Sequence, residues 1–230
     1  MNLNKYIYRL RFLIFIVISI SWISCNFKSS EQYFIEAEDL AALGCYKEAN
    51  HLLDKAIKKN NRFLEAYISR GANKAELKSF QEAIKDYEKV LTLDPQNTLA
   101  LFNIANNYKR LERYDVAIRF YNKAFDSKGG EKMYLDHYLN HFINSEDFDV
   151  PGYIIHFERG IAHYYKGNIE KAFSDFNISI KNDYKIGECY YWIGYIHISK
   201  GEMKLACESL NKAMQMGDQD AQLALNRYCK

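Results

Sequence analysis

A small residue returns at a constant interval: Ala49, Ala83 and Ala117 are 34 residues apart in turn, and Ala172 and Ala206 repeat that spacing further on. Each lies in a similar phrase, "YKEANHLLDKAI", "FQEAIKDYEKVL", "YDVAIRFYNKAF", "IEKAFSDFNISI" and "MKLACESLNKAM", with apolar residues at helical spacing. A period of this size marks stacked helical hairpins, none of which can bury its apolar face alone. The fold expected is all-α, built from about five such hairpins.

The chemistry of the repeat is one of close approach. Gly71, Gly160 and Gly194 on first helices, and Ala83, Ala172 and Ala206 on second helices, are small because two helix backbones meet there. Aromatic and branched residues fill the groove around them. Pro95 stops its helix before the next hairpin begins. The stretch "DQDAQLALNRYC", 218 to 229, is predicted to be an added helix that covers the last apolar face, started by Asp218 or Asp220.

These positions resemble the signature of the tetratricopeptide repeat family over nearly all of residues 31 to 218. The second copy supplies Tyr67, Gly71, Phe80, Ala83, Tyr87, Val90 and Pro95, and the third Leu101, Ala105, Tyr108, Tyr114, Ala117, Tyr121 and Ala124. In the fourth and fifth copies His163 and His197 replace the late aromatic of the first helix, and Tyr184 and Asp218 stand where a proline is usual. The resemblance implies a right-handed superhelix whose first helices line a concave face that binds protein.

From Ala117 to Ala172 the interval is 55 residues, longer than one period. The added stretch, within 127 to 152, opens with the breaker Gly129–Gly130, then places Leu135, Tyr138, Leu139, Phe142 and Ile143 at helical spacing. An inserted helix is expected, followed by an acidic loop that Pro151 closes. His137 and His141, four apart on that helix, are the one hint of a metal-dependent enzyme; no adjacent glutamate completes a zinc-protease pattern, and a surface role is preferred. Glycine-rich phosphate loops, paired zinc cysteines and a nucleophile turn are absent from the sequence, so neither catalysis nor a cofactor is expected.

At the N-terminus Lys5, Arg9 and Arg11 precede the apolar run "FLIFIVISI" and the small-residue cluster before Cys25. This layout resembles a bacterial lipoprotein signal, with 1–24 removed, Cys25 lipidated and 25–32 a tether; plain secretion and an uncleaved anchor remain open. The expected location is the cell envelope, on a lipid-anchored chain. With 31 Lys and Arg against 29 Asp and Glu, no global field favours nucleic acid. Cys207 and Cys229 are near enough to pair across neighbouring helices, though buried free thiols are the state expected for the cysteines after Cys25.

Counting along the first helices gives a partner-binding groove of Phe34, Ile68, Phe102, Phe157, Ile161, Tyr164, Tyr191 and Tyr195, with a polar middle at Asn103, Asn106 and Lys109. Each ring has an alternative role as core. The repeats are therefore expected at 33–126 and 153–218 with a cap at 219–230, forming a scaffold that holds a peptide or partner helix beside a membrane. A structural subunit of an envelope or secretion assembly is the other class, and no small-molecule substrate is expected.

Overall fold

The structure, a computed structural model, describes residues 28–127, 134–135, 142–143 and 149–229. The chain divides into two compact units, Met1–Phe63 and Leu64–Lys230. In the first, α1 (Ser30–Ala42) and α2 (Tyr46–Lys59) pack as one hairpin. Ser29 begins α1 with a capping box, its hydroxyl accepting from the Gln32 amide while the Gln32 side chain accepts from the Ser29 amide. Ala37, Ala49, Leu53 and Ala56 form the buried seam.

The second unit holds nine helices among its described residues. They are α3 (Leu64–Glu76), α4 (Phe80–Leu93), α5 (Thr98–Arg110), α6 (Tyr114–Asp126), α7 (Gly152–Tyr165), α8 (Ile169–Lys181), α9 (Ile186–Ser199), α10 (Met203–Gln215) and α11 (Gln219–Tyr228). Within this unit each helix packs on its neighbours in the chain, so the order in sequence is the order in space. The two helices of each hairpin are joined by a tight turn that needs a left-handed residue. Gly167 and Gly201 meet this need without strain, whereas Lys78 and Glu112 adopt it at φ 60° and 57°.

The small residues sit where the backbones meet. A methyl group at Gly71, Gly160 or Gly194 would lie 2.8 Å from Tyr87, 2.9 Å from Phe176 or 2.7 Å from Leu210, and all three partners are buried. Asn97 caps α5 and Asp218 caps α11, each side chain accepting from the amide three residues on.

Like helices tell which side of the stack is inner. The first helices touch in succession, α3 with α5, α5 with α7 and α7 with α9, while contacts between successive second helices are sparser. A stack bends toward the side where its rods approach, so the first helices line the inner wall.

Two expectations change here. Where a helix was predicted after Gly130, the backbone pairs Tyr134–Leu135 antiparallel with Phe142–Ile143. The apolar spacing that suggested a helix is also met by two short β-prone pairs, and the intervening Asp136, His137, Asn140 and His141 are weak helix formers. Side chains from 128 to 148, His137 and His141 among them, lie outside the described residues, as do the signal segment 1–24 and Cys25. Across the insertion α6 still packs directly on α7, with Ala124, Val150 and Ile155 in one core, so the added residues leave the stack continuous.

The cysteines also differ from expectation: Cys207 and Cys229 form a disulfide between α10 and the end of α11, with Cα atoms 5.7 Å apart. The alignment of α11 against α10 brings the two positions opposite each other, which sequence separation alone does not reveal. Cys45 and Cys189 are free thiols, and burial pushes the Cys189 thiol up to about 12, well into the unreactive range.

Candidate partner-binding wall

The predicted groove residues divide by unit. Phe34 lies in the first, where its ring packs on Phe63 at 5.1 Å. In the second unit Ile68 is partly buried on α3, and Phe102 on α5 leans on Tyr121 at 5.9 Å. Two of the three groups of the polar middle have internal partners: Tyr121 donates to Asn106 and Lys109 pairs with Glu158 across α5 and α7, while the Asn107 amide bonds the backbone carbonyl of Asn103.

Phe157 is not a groove residue. It is 1% exposed, wedged edge-on against Phe176 and Tyr184, with the Lys185 ammonium 4.7 Å from its ring centre. The cause is local. Where the other hairpins leave this helical position partly exposed, Asp183 and Lys185 take left-handed backbone, and Tyr184 and Lys185 lie over the ring. Ile161 likewise packs partly against this core.

The remaining aromatics form a row. Tyr114 stacks on Tyr165 at 5.2 Å, Tyr165 meets Trp192 at 5.7 Å, and Tyr164 also packs on Trp192 at 5.2 Å. From Trp192 the row continues through Tyr191 and Tyr195 to Tyr228 on the capping helix. It thus crosses hairpin after hairpin rather than running along one helix. Tyr165 is 54% exposed and the others keep part of their surface in solvent. Burial, a hydrogen bond to Tyr195 and the negative charge of Asp220 and Asp218 hold the Tyr191 phenol above its ordinary range, so it is a neutral donor at physiological pH.

Sequence reasoning named Tyr164, Tyr191 and Tyr195 but missed Tyr114, Tyr165, Trp192 and Tyr228. The doublet Tyr164–Tyr165 and the triplet Tyr190–Tyr191–Trp192 were the available signal. A count of one residue per helical turn skips the second member of each.

A second constellation was also missed. Arg70 grips Asp86 through two hydrogen bonds, at 3.0 and 2.6 Å, and Arg159 grips Asp175 in the same way at 2.9 and 2.8 Å. Both pairs are 16 residues apart at the same place in their hairpins. His156 adds a bond of 2.7 Å to Asp175. Burial alone would raise the Asp175 pKa, but the bonds from His156 and Arg159 prevail and hold it below the usual carboxylate value. Beside it His163 is buried and its pKa falls to about 4 through burial, with the pull of Asp175 offset by Arg159, Lys171 and Lys166. These groups are spent on one another, as structural ion pairs rather than an acid–base pair with a free proton acceptor. Among the described residues, no group of three His, Cys, Asp or Glu is placed to hold a metal ion, and no helix is long and apolar enough to cross a membrane.

Comparison with known proteins bears on this geometry. The tetratricopeptide repeat family model matches residues 64–97, 99–129 and 187–218. These three segments are tetratricopeptide repeats. Tetratricopeptide repeat protein 6 of Homo sapiens is 23% identical over 199 residues, 79% of this chain and 38% of that protein. A UDP-N-acetylglucosamine–peptide N-acetylglucosaminyltransferase of Giardia intestinalis is 28% identical over 109 residues, 47% of this chain and 7% of the enzyme. The chain thus spans well under half of either relative, and the share of the enzyme it matches is small.

Among solved structures, MamA of Desulfovibrio magneticus superposes with a TM-score of 0.66 at 17% identity, covering 81% of this chain and 93% of that one. YrrB, titled a tetratricopeptide repeat protein with an unusual peptide-binding site, gives 0.64 at 20% identity, covering 90% and 97%. At such identities the likeness establishes the fold, an array of helical repeats.

Proposed function

We propose that the chain is a non-catalytic scaffold, exported and tethered to a membrane of the bacterial envelope through a lipid on Cys25, that captures a peptide or partner segment along the inner wall of Leu64–Tyr228. The aromatic row carries this reading. Rings bury much area at little entropic cost, and a wall of several phenols with Asp218 and Asp220 beside it suits a polypeptide better than an anionic metabolite or nucleic acid. The Cys207–Cys229 bond supports export, since disulfides persist in oxidising compartments. The saturated ion pairs, the unreactive Cys189 and the interaction role of similar folds support the absence of chemistry.

The test is isolation of the tagged chain from membranes beside Tyr165→Ala, with mass analysis of the mature N-terminus. A partner retained by the parent and lost from the variant, on a chain beginning at an acylated Cys25, is the expected result. Equal retention by both chains defeats the wall as the binding surface, and an N-terminus without acyl chains defeats the tether. A partner held at fixed stoichiometry whatever the state of the wall favours the structural-subunit reading.

A further inference from the structure

We infer that the pocket framed by α6, α7 and α8 binds the phosphate group of a small phosphomonoester. Its volume is about 320 Å³, and it is lined by Arg159 and His163 on α7 and by Lys171, Ser174 and Asp175 on α8, across from Ile118 on α6. It shares no residue with the aromatic row, so the two sites stand or fall separately.

The repeat shows why the pocket is open. In the second copy Lys74 takes the place of His163, and its ammonium bonds Asp86 at 2.7 Å. His163 does not reach Asp175 in this way. Instead the Asn168 amide donates to its Nδ1 at 3.1 Å. Nor does Asp175 call for a cation in the vacated place, because it already accepts three bonds, two from Arg159 and one from His156.

What the pocket leaves unmatched is a set of donors. With Nδ1 accepting from Asn168, the neutral ring of His163 carries its proton on Nε2. His163 is 5% exposed, yet Nε2 is not sealed away and has no partner among the described residues, so it opens on the pocket that the ring lines. The Lys171 ammonium and the Ser174 hydroxyl, on exposed residues, are likewise without a partner there. Three donors match the three terminal oxygens of a phosphomonoester better than the two of a carboxylate.

Charge points the same way. Of the charges that act on His163, those of Arg159, Lys171 and Lys166 are positive and only that of Asp175 is negative. Asp115 on α6 is answered by Arg119, and Glu170 on α8 by Lys200. A water needs roughly 10–15 Å³ of such space, so there is room for an organic group beside the phosphate, against the Ile118 side chain.

The test is titration of the full chain with glycerol phosphate, inorganic phosphate and acetate at fixed ionic strength and about pH 7.5, where a phosphomonoester carries close to two charges. Calorimetry reads the affinity, and the NMR shift of the His163 Nε2–H reads the place. Glycerol phosphate should bind at least about tenfold tighter than acetate and move that resonance. Lys171→Met should weaken it roughly tenfold and Ser174→Ala roughly threefold, while Lys204→Met at an exposed site on α10 changes nothing. Acetate binding as tightly as glycerol phosphate, a still His163 resonance, or an unaltered affinity in Lys171→Met overturns the assignment. Inorganic phosphate binding as tightly as the ester overturns the room given to an organic group.

Discussion

Replacing Cys207 and Cys229 together by serine removes the bond that closes a 22-residue segment between α10 and the end of α11. In the chain-entropy account such a loop restricts the unfolded chain by roughly 11 cal/mol/K, or about 3 kcal/mol at 25 °C. Little else holds this cap. Its buried residues are only Ala221 and Ala224, its solvent face carries Leu223 at 70% exposure, and a ten-residue helix is too short to persist alone. Because repeats couple only to neighbours, the loss should stay at that end of the stack. Amide exchange of 219–228 should rise toward that of an open chain in the double variant, and in the parent after reduction, while α3 to α8 keep their protection. The reasoning is refuted if the oxidised parent and the double variant protect α11 equally.

Gly160→Leu drives a side chain into Phe176 and should cost about 1–3 kcal/mol in urea unfolding, whereas a leucine at exposed Lys166 should cost far less. Arg159→Met strips the guanidinium from the buried Asp175, leaving only His156, and should destabilise by about 3 kcal/mol, with Asp175→Asn in the same background recovering part of it. His163 has its pKa lowered from 6.5 to about 4, so the unfolded chain takes up the proton first and stability should fall as pH drops between those values, by about 3 kcal/mol in full. His163→Phe should flatten that window in thermal melts, and an unchanged slope would refute the assignment. Asp175, with its depressed pKa, contributes stability above its ordinary value of 3.8 that is lost at still lower pH, so the two windows separate.

The architecture was legible because it rests on a few steric requirements that leave fixed marks. Gly71, Gly160 and Gly194 have no room for a methyl group, and the buried Ala49, Ala83, Ala117, Ala172 and Ala206 carry the period. The site was less legible for three reasons. The Phe157 position matches Ile68, Phe102 and Tyr191 in the repeat, but Tyr184 and Lys185 cover it beside left-handed backbone at Asp183 and Lys185, and backbone sign is not written in those residue types. Lys109 and Asn106 look like ligand-binding groups along one helix, yet their partners Glu158 and Tyr121 come from the next repeat and from the second helix of the same hairpin. Arg159 and Asp175 are 16 apart, beyond any helical pairing rule, and meet only because two helices fold back on each other. The disulfide belongs to the same class, a contact set by antiparallel register.

Site-specific photo-crosslinking tests the central claim most directly. A photoreactive phenylalanine placed at Tyr165 on the wall, and separately at exposed Leu205 on the second helix α10, is irradiated in intact cells. A discrete adduct to another polypeptide from position 165 and none from 205 is the expected result. Adducts from 205 alone, or none from 165 in cells that hold the folded chain, would contradict the account.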